Sequence, residues 1–201
     1  MFKPFNSSKS AKERIPYFLL EIFLISFSVF LAFSVSQCQE SNKTKKRGQI
    51  ALENIRLEIE SNRDEVGGVI DHHKELIDRM KSVPDSISDG KTAFQVFLYC
   101  LENNDPHIPL IESSAWKTAL ADGSIQTIDY FKLSRISKLY GGQEVGFSTM
   151  VKNFVERIHD PEMHSPEEYE KQFTSLMMIM QNIFGNEIYF VNECDSVLAE
   201  L

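Results

Sequence analysis

Cysteine is scarce in this chain: Cys38, Cys100 and Cys194 are the only three in 201 residues. No two of them form a C-x-x-C pair, and three are too few for a disulfide framework, so the core has to hold by packing. A bond between Cys100 and Cys194 is conceivable in an oxidising compartment; burial of both on helices as small hydrophobes is the reading the pattern favours. Catalytic signatures are missing as well. There is no G-x-S-x-G, P-loop, dinucleotide fingerprint or H-E-x-x-H, so no enzyme and no cofactor is expected. No stretch alternates apolar and polar residues for long enough to argue for a sheet.

Positive charge is short in most of the chain. Residues 1–47 carry eight Lys and Arg against three Asp and Glu, whereas residues 48–201 carry 13 against 26. An acidic surface of that kind repels phosphate backbones and has few groups to displace their counterions, which excludes nucleic acid as an expected partner. The acidic part, about 150 residues, is long enough for one domain with a real core.

Against these absences stands one long apolar run. Residues 17–36 read YFLLEIFLISFSVFLAFSVS, with a single charge. That is about the ~20 residues a helix needs to cross a ~30 Å hydrocarbon layer. The expected organisation is a short flank (1–16), a transmembrane helix (17–36), a basic juxtamembrane linker (37–47) and an acidic helical domain (48–201). A cleavable signal peptide, with Ser34 and Ser36 as small residues near the cut, is the alternative, although its apolar core is usually only about 7–15 residues. Lipidation at Cys38 would need a small residue where Gln37 stands. The flanking charges tie, Lys3, Lys9, Lys12 and Arg14 against Lys43, Lys45, Lys46 and Arg47. Lys12 and Arg14 lie nearer the span, which leans the N-terminus inside and the domain outside.

Within the span, Glu21 sits one turn from the start, where it can reach the interface and meet the positive end of the helix dipole. Its spacing allows a second role. Glu21, Ser28, Ala32 and Ser36 recur at seven and four residues and share one face, a small-residue stripe of the kind that lets transmembrane helices pack closely. This is the candidate intramembrane contact face, for a second copy or another membrane protein.

Beyond the span the periodicity is helical throughout. Leu52, Ile55, Ile59, Val66, Val69, Leu76, Met80 and Val83 step by three and four, with Asn62 and His73 in the gaps, predicting a helix over about 43–83 that ends at Pro84. Ile70 and Ile77 widen the stripe, favouring an intramolecular bundle over a two-stranded coil. A second helix is expected over 88–102 with Phe94, Phe97, Leu98 and Leu101 buried, then a loop over 103–109. A short helix follows over 115–121, capped by Ser113 or Ser114 and stopped by Asp122 and Gly123. The next long helix spans 127–158, with Ile128, Phe131, Ile136, Leu139, Phe147, Met150, Phe154 and Ile158 inward. The last begins after Ser165 and Pro166 and carries Tyr169, Phe173, Leu176, Met180, Ile183, Phe190, Cys194, Val197 and Leu201, with Glu187 as the polar exception. Glycine pairs at Gly67–Gly68 and Gly141–Gly142 predict a kink or a close helix contact in each long helix. The fold class is therefore all-α, a transmembrane helix followed by a bundle of long antiparallel helices with kinks.

Polar clusters have plain explanations. Neither His72 with His73 nor His159 with His164 has the i, i+3 or i, i+4 spacing that converges ligands on a metal, so solvated or seam histidines are expected and no metal site is assigned. Met177, Met178 and Met180 read as packing rather than as a soft-metal site. Glu167 and Glu168 fit a first helical turn.

The opening Leu20–Glu21, the exit LAFSVSQCQE (31–40) and the stretch AWKTALADGSIQTIDYFKLSRISKLY (115–140) together resemble an uncharacterised family of bacterial single-pass membrane proteins, common in Bacteroidota and defined as a domain of unknown function. The family's Gly before the glutamate and its exit Trp are absent here. The resemblance implies an inner-membrane anchor with an extracytoplasmic, periplasmic helical domain, and brings no activity with it. The expected role is a membrane-anchored interaction or scaffold protein. The alternative is a ligand-binding sensor domain that signals through a partner.

Overall fold

A computed structural model describes residues 11–102 and 105–201, with side chains from Leu19 onward. Residues 1–10 of the expected flank, the side chains that open the expected span and Asn103–Asn104 of the expected loop lie outside the described residues. Helices make up 85% of the described residues and no strand occurs among them, so the fold is all-α.

The first helix, α1 (Ala11–Lys81), contains a segment long and apolar enough to cross a membrane, with mean hydropathy 2.2 and none of that window buried. The chain divides into two compact units, one up to Arg47 and one from Gly48 to Leu201. In the first, residues 37–47, the expected basic juxtamembrane linker, continue as helix. Nothing there breaks the pattern: Thr44 Oγ1 bonds back to the Glu40 carbonyl, and the run holds neither proline nor glycine.

The second unit is a bundle of three long helices: the part of α1 from Gly48 onward, α5 (Tyr130–Ile158) and α6 (Tyr169–Leu198). Arg63 meets Asp195 and His73 meets Glu187, so α6 runs antiparallel to α1. Lys132 reaches Leu201 and Arg157 reaches Gln172, so α6 is antiparallel to α5 too. Hence α1 and α5 run in the same direction. The chain returns between them through α2 (Asp85–Ser88), α3 (Ala93–Leu101) and α4 (Ser114–Ala121).

The predicted seams are the core. Ile55, Ile59, Val66, Leu76 and Met80 are buried on α1, and Phe173, Leu176, Met180, Ile183, Phe190, Cys194 and Val197 on α6. The core forms two apolar clusters. One gathers Ile55, Ile59, Val66, Ile136, Leu139, Phe147, Phe190 and Cys194; the other gathers Leu76, Met80, Phe97, Cys100, Phe154, Leu176 and Met180. Cys100 and Cys194 are both free, one in each cluster, with their thiols pushed up by burial to about 11 and about 12.

Four local expectations are corrected. The second helix starts at Ala93, five residues later than expected, because Thr92 and Gln95 form a reciprocal capping box and Gly90 turns the chain at φ +67°. That register buries Val96, Phe97, Cys100 and Leu101 and turns Leu98 outward. Phe131 is exposed as well, since it lies in the first turn of α5 on the face away from the core. Neither glycine pair makes a close contact: beyond the adjoining helix backbone, no atom lies within 4 Å of where a Cβ would stand on Gly67, Gly68, Gly141 or Gly142, and both helices continue through them. The close approach is at Gly48 instead, where a Cβ would lie 1.7 Å from Thr127 Oγ1 and 3.3 Å from the Ser124 carbonyl.

Candidate functional site

The polar residues in the gaps of the helical seams come together inside the bundle. His73 and Glu187 have no solvent exposure and lie between the two apolar clusters, below Leu76 on α1 and between Ile183 and Phe190 on α6. His73 Nδ1 stands 2.8 and 2.9 Å from the two Glu187 carboxylate oxygens, and Nε2 stands 2.6 Å from the Pro106 carbonyl. Both neighbours are acceptors, so both ring nitrogens donate and the imidazole is charged against the carboxylate. Burial alone would push His73 down; the Glu187 hydrogen bond and charge, helped by the Pro106 carbonyl, outweigh it and hold the ring above the ordinary histidine value. The pair thereby fastens the loop after α3 onto α1 and α6.

His72, next along α1, packs edge-on against His107 at 4.6 Å. Its Nε2 is buried without a hydrogen-bond partner, and burial, with the charges of His107 and His73, lowers its pKa. Glu102 and His107, which flank that loop, both hold left-handed backbone at φ 52° and 47°.

A second polar centre surrounds Glu58. Its carboxylate accepts from the Ser114 hydroxyl at 2.9 Å, the Ala115 N–H at 2.7 Å, the Trp116 N–H at 3.3 Å and the Tyr140 hydroxyl at 2.6 Å. Ser113, the expected cap, makes no side-chain cap bond; a carboxylate from α1 satisfies the first N–H groups of α4 in its place. Burial and the Glu58 carboxylate together drive the Tyr140 hydroxyl well above its ordinary value. Asn62 pairs reciprocally with the backbone of Glu112, at 2.8 Å in each direction, and Gln143 donates to the Glu112 carbonyl at 2.9 Å. These networks are closed on themselves. They tie helices and loops together, and each partner is already taken.

No group of three or more His, Cys, Asp or Glu that could hold a metal occurs among the described residues. His159 bonds back to Val155 and His164 packs at a tilt against Phe94, both histidines at the surface. Met180 is in the core while Met178 points out. Glu21, Ser28, Ala32 and Ser36 lie along the apolar segment; Glu21, Ser28, Ala32 and Ser36 are all exposed, and the Ser28 hydroxyl is turned back onto the Leu24 carbonyl at 2.7 Å.

One concave surface of the bundle is apolar and open. Between α5 and α6 a groove of about 270 Å³ is floored by Gly142 and Gly146 and walled by Leu139, Phe147, Tyr189 and Phe190. Tyr189 is exposed along it, and Lys138 and Glu193 face each other across one end at 4.0 Å. The sequence marked Gly142 only as half of a possible bend. The Gly142-x-x-x-Gly146 spacing was legible as a flat helix face, but which side of α5 it occupied depends on the register set by Ile136, Leu139 and Phe147. No protein-family model, curated protein or solved structure matches the chain.

Proposed function

We propose that the chain is a membrane-anchored helical scaffold that holds a protein partner against the α5–α6 groove. The groove carries the reading: it is an apolar concavity that the bundle leaves uncovered among the described residues, on a domain whose buried Glu58, Asn62, His73 and Glu187 are engaged in holding the fold. Two glycines one turn apart let another helix approach the α5 backbone closely, and Tyr189 offers the kind of rigid aromatic contact that dominates interfaces. The apolar segment of α1 supports the anchor, and the lean of the flanking charges with the Bacteroidota family resemblance supports a bacterial inner membrane with the domain in the periplasm. Glu21, Ser28, Ala32 and Ser36 would then serve a second copy or another membrane protein within the bilayer.

Co-purification of the full chain in mild detergent tests this. A stoichiometric partner or a homo-oligomer that Gly146→Leu releases is the expected result, whereas a clean monomer unaffected by that change overturns it. Glu21→Leu separates the two surfaces, since it weakens intramembrane association only. A periplasmic phosphatase fused to the C-terminus is expected to be active; an inactive fusion reverses the orientation.

The groove also favours a second reading, a sensor that takes a small apolar ligand between α5 and α6, because its volume approaches that of ordinary ligand sites. A ligand that raises the melting temperature of the full chain, and loses that effect in Gly146→Leu, would select it over the scaffold.

A further inference from the structure

Tyr130 and Phe131 are the two most exposed aromatic residues among those described, at 75% and 78%, more open than any ring described in the apolar segment of α1. They form an edge-to-face pair with ring centroids 5.9 Å apart. Two adjacent rings in that state cost more than a lone exposed hydrophobe and mark a surface that meets something.

Their place in the bundle says what. Gly48 opens the compact unit and is buried, its backbone pressed against Thr127 and the Ser124 carbonyl. Thr127 ends the 3₁₀ turn Ser124–Thr127, Asp129 caps α5 by accepting from the Phe131 N–H at 2.9 Å, and Tyr130 is the first residue of that helix. The aromatic pair is therefore fixed at the end of the bundle where α1 enters it. Ile50 is exposed two residues after Gly48, and Leu120, in the last turn of α4 ahead of the same 3₁₀ turn, is exposed too.

In sequence, Lys43, Lys45, Lys46 and Arg47 run directly into Gly48. A basic stretch just outside a membrane span is drawn to anionic headgroups at about 1 kcal/mol per residue. Gly48 is the next residue in the chain, so the Tyr130 end is the end of the bundle that the basic stretch tethers. The other end of the bundle is polar and acidic on balance: Asp85, Asp89, Glu167 and Glu170 line a wide cleft there with Lys91 and Lys171. An anionic surface disfavours that end. Aromatic side chains favour the interfacial layer, where an apolar body and a wet rim are both satisfied.

We propose that the bundle sits on the bilayer through this end, with Tyr130 and Phe131 inserted among the lipid headgroups. The inference rests on the reading that the apolar segment of α1 spans the membrane. It makes the domain a second membrane contact with a fixed face toward lipid.

The test uses the full chain carrying Cys38→Ser, reconstituted in vesicles of mixed zwitterionic and anionic phospholipid. An environment-sensitive fluorophore is attached to the one exposed cysteine in Phe131→Cys, Phe30→Cys or Tyr99→Cys, Cys100 and Cys194 being buried, and lipids spin-labelled near the headgroup or along the acyl chain serve as quenchers. Position 99 lies on α3, among the residues of the other cluster. All three positions are exposed, and the emission of Trp116 verifies that each variant is folded. The expected result is strong quenching at 30 by the acyl-chain label, strong quenching at 131 by the headgroup label, and several-fold less at 99. Quenching at 30 without quenching at 131 overturns the inference and leaves the anchor standing. Loss of quenching at 30 overturns both. Shielding of 131 that grows with protein concentration but is blind to labelled lipid means a second copy covers the rings, and also overturns it.

Discussion

The imidazole of His73 and the carboxylate of Glu187 meet at 2.8 Å in a fully buried layer between two apolar clusters. Removing one partner strands the other charge, so His73→Ala or Glu187→Ala is expected to cost about 3–5 kcal/mol. Replacing both by leucine returns most of that loss, because two desolvated charges give way to packing. It does not return all of it, since the Pro106 carbonyl is then unpaired at about 1–3 kcal/mol. Urea unfolding of the two single variants and the double variant checks this; a double variant no better than the worse single would show that the pair is not the unit.

The neighbouring histidines set opposite pH limits. His73 has a raised pKa, so its contribution is whole below the ordinary value of 6.5 and is lost as pH rises through the raised folded value. His72 has a lowered pKa, so the unfolded chain takes up that proton first as pH falls below 6.5, and stability drops between that value and the lowered folded one. His107, His73 and Arg79 lower it further, and the Asp105 backbone opposes them. His72→Gln is expected to extend the stable range to lower pH and leave the alkaline side unchanged. Melting temperatures across the acid and neutral range would expose the reverse.

Glu58 holds α4 from across the bundle. Glu58→Ala leaves the Tyr140 hydroxyl and the first N–H groups of α4 without their acceptor and should cost about 3 kcal/mol. The effect has a built-in reporter: Trp116, the single tryptophan, stacks on Tyr140 at 5.3 Å with rings nearly parallel. Its emission is expected to shift to the red in Glu58→Ala before global unfolding, and less in Glu58→Gln. An unchanged spectrum would mean α4 does not depend on this carboxylate.

Two glycines of one helix should respond in opposite directions. Gly48→Ala drives a methyl into Thr127 and the Ser124 carbonyl, so it destabilises, and Thr127→Ala relieves part of the loss. Gly67→Ala meets open space and should stabilise by roughly 0.5–1 kcal/mol through helix propensity alone. Thermal melts of the three variants decide it, and equal effects at both positions would refute the close approach.

The bundle was legible where one periodicity ran unbroken. On α6 the steps of three and four name the buried residues almost one for one, from Phe173 to Val197. Even the exceptions were informative, for Asn62, His73 and Glu187 interrupt apolar seams and each proves buried and bonded. What the sequence could not reveal was pairing across distance. Nothing local links Glu58 to Tyr140, 82 residues away, or tells that its carboxylate replaces Ser113 as a cap. The register of α3 failed for a smaller reason: the Thr92 and Gln95 box outweighed the earlier serine, and Leu98 turned outward as a result. The α5–α6 groove emerges only once both helices are in place, because neither glycine nor tyrosine declares which face it will occupy.

The return of the chain between α1 and α5 has a consequence for the order of assembly. His73 is separated from Glu187 by 114 residues, while α5 and α6 are joined by the short stretch between Ile158 and Tyr169. Closing the shorter loop costs less entropy, so the α5–α6 hairpin forms first and α1 docks onto it. At ribosomal speed the interval between making His73 and making Glu187 is on the order of ten seconds. Throughout that time the stripe of Ile55, Ile59, Val66 and Leu76 has no lasting cover. The helix made first is thus the last to be completed, and its safe passage depends on how quickly the final helix follows it out.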